Sequence, residues 1–235
     1  MTDPSAAFSP PAETDLRPRI PPGQILTRSW PVLHAGSVPR QLSESNYTLR
    51  LHGAVANPQT LTYAELRSLP ATEITCDIHC VTSWSKLGMR WSGVRFREID
   101  ARAKPDPSVR FVIFECEQGF TTSLPREALL DDDVLVAYGV EGGPIPAEHG
   151  GPVRMLVPRR YFYKSAKWLR GLRFVAEDEP GFWEVRGYSN IADPWLETRY
   201  DVDDRRAIAA MRKRTLFRPL PDAGAEATAP EAQPR

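Results

Sequence analysis

The sequence predicts an α+β fold that is mostly β. Three observations carry this. Runs of β-branched and aromatic residues are short and bounded by turn residues, helical patterns between them are brief, and the two do not alternate as regular βαβ units. The chain has 235 residues, of which 41% are hydrophobic and 26% charged, as in ordinary globular proteins.

"YTLRLHG" at 47–53 places Tyr47, Leu49 and Leu51 on one side and Thr48, Arg50 and His52 on the other, a half-buried strand ending at Gly53. In "LTYAELRSLP", Thr62 and Glu65 have capping-box spacing and Pro70 follows a short helix. "EITCDIHC" alternates as a strand, and "WSGVRFREI" predicts a turn and then a short helix. "VRFVIFEC" at 109–116 predicts a buried strand, "LPREALL" a short helix, "DVLVAYGV" a strand and "EGGPIP" a turn. "PVRMLVP" at 152–158 is a proline-bounded strand, and "SAKWLRGLRFV" is extended. "DDRRAIAAMRKR" is a closing helix, with acids first and bases last as the helix dipole favours. Residues 1–24 hold six prolines and predict a disordered or surface-draped arm. The domain is expected over 25–217, with a disordered tail over 218–235.

Composition removes several classes of function. Thirty Lys+Arg balance thirty Asp+Glu, so the basic excess of a nucleic-acid binder is missing. No apolar run approaches the ~20 residues of a membrane span. The N-terminus lacks an apolar core after a basic start, so no export signal is expected. Three cysteines without framework spacing predict free thiols and a cytoplasmic location.

Two of those cysteines lie in "CDIHCVTSWSK", residues 76–86. A strand over Glu73–Cys80 puts Ile74, Cys76, Ile78 and Cys80 on one face, and Glu73, Thr75, Asp77 and His79 on the other. His79 and Cys80 then point apart, and a base for a cysteine nucleophile must come from elsewhere, such as His149 or His34. A closed zinc site needs four ligands, whereas C-x3-C offers one pair and Cys116 stands alone. Cys76 reads as a small buried hydrophobe. Cys80 ends the strand where the chain turns, a common place for functional groups.

The second signal is a basic window. Arg154, Arg159, Arg160, Lys164, Lys167, Arg170 and Arg173 fall in a stretch with no Asp or Glu between His149 and Ala176. Aromatic and apolar residues interleave it, and its flanks are rich in Gly and Pro. A half-buried cation cluster calls for an anion, and a phosphate accepts several such donors at once. Together the two signals point to a flat, phosphorylated ligand beside a soft thiolate.

In "HCVTSWS" and "PVRMLVPRRYFYKSAKW", flanked by "WPVLHAGSVP", "VRFVIFEC" and "GYSNIADPWLETRY", the chain resembles the sulfite oxidase-like family of molybdopterin oxidoreductases over about residues 25–200. It is most similar to the small single-domain bacterial members, which include the catalytic subunit of the periplasmic methionine sulfoxide reductase. The resemblance implies that family's fold, with mixed sheets and short helices, and a molybdenum–molybdopterin cofactor. Cys80 would bind molybdenum and carry catalysis, in keeping with the preference of soft metals for sulfur. His34, Cys116, His149 and Arg154 match cofactor-contacting positions. Phe162, Tyr163 and Lys164 match a segment whose backbone and lysine hold the pterin phosphate, continued by Ser165 and Lys167. Sulfite oxidases carry arginines just after the metal cysteine; here "VTSWSK" offers only Lys86, so the resemblance does not extend to sulfite as substrate.

The expected function is oxo transfer to or from a small substrate, sulfur compounds included, with electrons exchanged through an external partner. The competing expectations are a non-catalytic module that binds molybdopterin or another phosphate ligand, and a cysteine-dependent transferase using Cys80.

Overall fold

The computed structural model describes residues 19–216, with side chains as far as Ala209. Most of the expected Pro-rich arm and all of the 218–235 tail lie outside the described residues. Two sheets dominate. The first has six strands: β1 (Ile25–Leu26), β4 (Ala71–His79), β5 (Trp84–Arg95), β8 (Leu135–Val140), β9 (Gly143–Pro144) and β10 (Arg154–Leu156). Its order is β1-β5-β8-β10, with β4 also on β5 and β9 on β8. The second comprises β2 (Thr48–Gly53), β3 (Gln59–Thr62), β6 (Phe111–Cys116), β7 (Thr121–Pro125) and β11 (Leu169–Val175), in the order β3-β2-β11-β6-β7. Both sheets are mixed: β1 runs parallel to β5 and β11 parallel to β2, while the other pairs are antiparallel. Helices α1 (Tyr63–Arg67), α2 (Phe96–Ala103), α3 (Arg126–Leu129) and α4 (Asp201–Leu216) are accessory.

Local sequence explains most elements. Leu49 and Leu51 of β2 are fully buried while Arg50 is exposed, as alternation requires. Thr62 caps α1: its hydroxyl accepts from the Glu65 amide, and the Glu65 carboxylate accepts from the Thr62 amide. The last four residues of β8 are two aliphatics, a tyrosine and a glycine, and the whole strand is buried.

Two expectations are corrected. Residues 91–95 are not a turn; they continue β5, a twelve-residue strand. Gly93 suggests a turn in the sequence, but its role is close approach. A Cβ there would meet the Val136 carbonyl oxygen at 2.5 Å and the Ala137 Cα at 2.8 Å on the neighbouring β8. Gly93→Ala is therefore expected to cost ~1–3 kcal/mol, measurable as a lower urea midpoint at unchanged m-value. The strict alternation of β4 also fails, because its register against β5 shifts between Cys76 and Ile78. This bulge re-aims the strand end. Ile78 goes into the core, while Cys76, Asp77 and His79 all line a second cavity, away from the one that Cys80 meets.

The core has two parts. One packs the second sheet against α1 and α2, with Leu51, Phe96, Phe114 and Phe174 at its centre. The other lies on the first sheet around Ile78, Met89, Trp91, Leu156 and Phe162, and forms the floor of the site described next.

Candidate cofactor site

β4 ends at His79, and the loop 80–83 turns the chain back into β5. The Cys80 amide donates to the Trp84 carbonyl (2.8 Å), and the Ser83 amide donates to the Cys80 carbonyl (3.0 Å). Ser83 takes a left-handed φ of 70°, so the turn is tight for a residue with a side chain. The Cys80 sulfur lies 3.1 Å from the Thr82 hydroxyl and opens onto a cavity of about 390 Å³. Burial pushes the Cys80 thiol up, opposed by Thr82 and by the charge of Arg199. A free cysteine nucleophile needs the opposite bias.

Another part of the lining comes from the basic window. Arg154, on β10, is 1% exposed. Its guanidinium donates to the carbonyls of His149 (2.5 Å), Ser165 (2.5 Å) and Met155 (3.3 Å), and lies 4.2 Å over the Phe162 ring. Among the described residues no carboxylate pairs with it, and burial pushes its pKa down to about 9. His149 is 7% exposed, stacks on Trp30 at 3.6 Å, and leaves Nδ1 buried without a partner. Burial, then Lys167 and Arg154, push its pKa down to about 4. Lys167 donates to the Glu148 carbonyl (2.6 Å), and its pKa falls to about 7 through burial and then Arg154. The site therefore holds a buried guanidinium, a half-buried lysine and an orphaned ring nitrogen, and among the described residues the first two donate to carbonyls. Such a set calls for an anionic, hydrogen-bonding ligand.

Eight of the ten expected residues line this one cavity: His34, Cys80, His149, Arg154, Phe162, Tyr163, Ser165 and Lys167. Cys116 does not. It belongs to the core, where burial pushes its thiol up. Nor does Lys164 line the cavity. It is wholly buried and its ammonium donates to Glu184 (2.5 Å), the Ser123 carbonyl (2.9 Å) and Asn190 (3.0 Å). The lysine facing the cavity is Lys167, three residues on. The glycines of "EHGG" also have a packing role: a Cβ on Gly150, at φ 103°, would lie 2.9 Å from the Lys167 Cα, and one on Gly151 would meet the Ile145 carbonyl.

The sequence reading missed a wall of aromatic residues. Phe120, Phe182, Trp183 and Tyr188 line the cavity as a chain of ring contacts 5.0–5.5 Å apart. The clustered "GFWEVRGY" signals it only weakly, because nothing local shows which way the rings face. Cys76 opens onto the other cavity with Asp77, His79, Asp131 and Asp133, so Cys76 and Cys80 do not form a zinc pair.

The buried lysine and histidine bias stability with pH in a definite direction. Lys167 has a folded pKa near 7 against 10.5 unfolded. Between these values the unfolded chain binds a proton that the fold refuses, so stability rises with pH across that window. Urea titrations of the ligand-free protein should show this rise, and Lys167→Met should lose it. His149 acts in the acid window, where stability falls as pH drops from 6.5 towards 4.

A single soft sulfur-bearing residue that shares an aromatic-lined cavity with a buried guanidinium and a half-buried lysine suits a protein that binds an anionic ring cofactor. The chain belongs to the oxidoreductase molybdopterin-binding domain family, whose model matches residues 35–183. Molybdopterin is accordingly its cofactor. Similarity to individual proteins agrees. The chain is 41% identical over 196 residues to an uncharacterized oxidoreductase, YuiH, of Bacillus subtilis, covering 83% of this chain and 99% of that protein. It is 28% identical over 173 residues to a putative protein-methionine-sulfoxide reductase subunit, YedZ1, of Azospira oryzae, covering 72% of this chain and 65% of the relative. The sulfane dehydrogenase SoxCD from Paracoccus pantotrophus superposes with a TM-score of 0.54 at 25% identity, over 58% of this chain and 40% of that one.

The residues fit that cofactor. Arg154 and Lys167 provide cationic groups that pair with no carboxylate among the described residues and suit a phosphate, His149 Nδ1 an unsatisfied polar atom for a ring substituent, and Cys80 a sulfur for a soft metal.

Proposed function

We propose that the protein is a molybdenum-dependent oxidoreductase that exchanges an oxygen atom with a small sulfur-containing substrate, with Cys80 as the protein ligand to molybdenum. The observation that carries this reading is that Cys80 lines one cavity together with Arg154, Lys167 and His149. When bound, the cofactor supplies two-electron oxygen-atom transfer, and the protein supplies orientation and electrostatics. Arg154 and Lys167 hold the phosphate, and Lys167 takes up a proton as that anion arrives. Phe162, Tyr163 and Ser165 shape the bed of the ring system, and His34 stands at the mouth beside Trp168. The aromatic wall suits a polarisable sulfur group, which packs well against ring edges. The names of the YedZ1 and SoxCD relatives point to sulfur chemistry as well. Electrons are exchanged with an external carrier.

The test is purification from a molybdopterin-producing host, followed by metal analysis, pterin fluorescence after denaturation, and oxidation of a reduced viologen dye by small sulfoxides. Stoichiometric molybdenum, the pterin and dye oxidation are expected. Zinc at stoichiometry without molybdenum overturns the reading.

A further inference from the structure

We propose that Gln24 and Arg199 form a two-point clamp that fixes the direction of the Cys80 sulfur, making both of them positioning residues for the metal ligand. This rests on the reading of Cys80 as that ligand. The two residues come from opposite ends of the described chain and converge on one loop. Gln24 Nε2 donates to the Cys80 carbonyl at 3.1 Å, and Arg199 Nη1 donates to the Val81 carbonyl at 2.5 Å.

The geometry explains why these two bonds matter. A peptide unit is rigid, so fixing a carbonyl fixes its whole plane. The Cys80 amide bond to Trp84 holds the plane before Cys80, Gln24 holds the plane after it, and Arg199 holds the next. With the flanking planes pinned, the Cys80 backbone dihedrals are set and so is its Cα–Cβ direction. The left-handed Ser83 gives the loop a reason to need outside support.

Each arm is itself held. Gln24 Oε1 accepts from the Ser85 hydroxyl (3.4 Å), which also meets His79 Nδ1 at 2.8 Å. The Arg199 guanidinium lies 4.9 Å over the ring of Tyr161, a fully buried residue. The two segments touch at Gly23, where a Cβ would come within 3.3 Å of Arg199 Nη2. Neither residue lines the cavity; both act through the loop.

The experiment compares full-length wild type with Gln24→Ala, Arg199→Gln and Arg199→Lys. Amide hydrogen exchange over residues 81–85 is read in metal-free protein, and the electron paramagnetic resonance spectrum of the half-reduced metal is read in loaded protein. Gln24→Ala and Arg199→Gln should each speed exchange on the order of tenfold in the loop, leave Val112–Phe114 unchanged, and alter the spectrum. Arg199→Lys should restore part of both. Wild-type exchange and spectra in Gln24→Ala and Arg199→Gln overturn the clamp. Gln24 is a partly exposed surface residue, so its variant decides the matter even where Arg199→Gln does not fold. A wild type without molybdenum overturns the cofactor reading instead, and the exchange data still judge the clamp.

Discussion

Replacing Cys80 by serine is expected to strip the protein of molybdenum while leaving it folded. Serine is smaller than cysteine and fits the same space, and the hydrogen bond between the Cys80 side chain and Thr82 is one that a hydroxyl can also make. The backbone bonds of the loop do not involve the side chain. The change therefore falls on the ligand atom. Loss of residues that merely orient a metal ligand weakens metal binding or activity by ~10–100-fold, so loss of the ligand itself should exceed about 100-fold. Metal content after dialysis measures it. Cys76→Ser and Cys116→Ser are the controls: one sulfur lies in another cavity and the other in the core. Both should retain molybdenum. Equal retention by Cys80→Ser would assign the metal's protein ligand elsewhere.

Arg154→Met should separate cofactor binding from stability. In the ligand-free protein the guanidinium is a buried charge with carbonyl partners only. Its removal relieves a desolvation penalty of several kcal/mol, but strands the His149 and Ser165 carbonyls at ~1–3 kcal/mol each. These terms oppose one another, and methionine retains contact with Phe162. The net change in unfolding free energy should stay within about 2 kcal/mol. Cofactor retention should fall far more, because removing one partner of a buried charge pair costs ~2–5 kcal/mol, or roughly 30- to 5,000-fold. Pterin fluorescence per chain and urea midpoints measure the two effects. A variant that retains the pterin as wild type does would place the phosphate away from Arg154.

Much of the site was legible because its chemistry is concentrated in short stretches. The cysteine loop and the basic window each span a few residues, and a window of cations without acids is visible in any reading of the chain. That Lys167 lines the cavity while Lys164 turns away from it was not legible. Both follow "YFY" closely, and what separates them is Glu184, twenty residues beyond Lys164, which takes up the buried ammonium. Gln24 and Arg199 were invisible for the same reason on a larger scale: they bond residues 56 and 118 positions away. "NIADPWLETRY" carries no local sign of this role, and its arginine gains significance only from what lies beside it in space. Among the elements, β2 follows from alternation, α1 from capping and β6 from its β-branched and aromatic composition. The second half of β5 does not, since Gly93 serves a close backbone contact that resembles a turn signal.

The pairing of β11 with β2 governs when this protein can become competent. The central strand of the second sheet arrives from residues 169–175, yet it must slot between β2 and β6, which were made more than fifty residues earlier. Until those residues leave the ribosome, β2 and β6 each present an open edge, which favours association with other chains. Such sequence-distant pairing also makes assembly slow. Lys167 and Trp168 immediately precede β11, so the pocket wall they form is completed in the same step. The cavity is thereby completed only once β11 has paired with both β2 and β6.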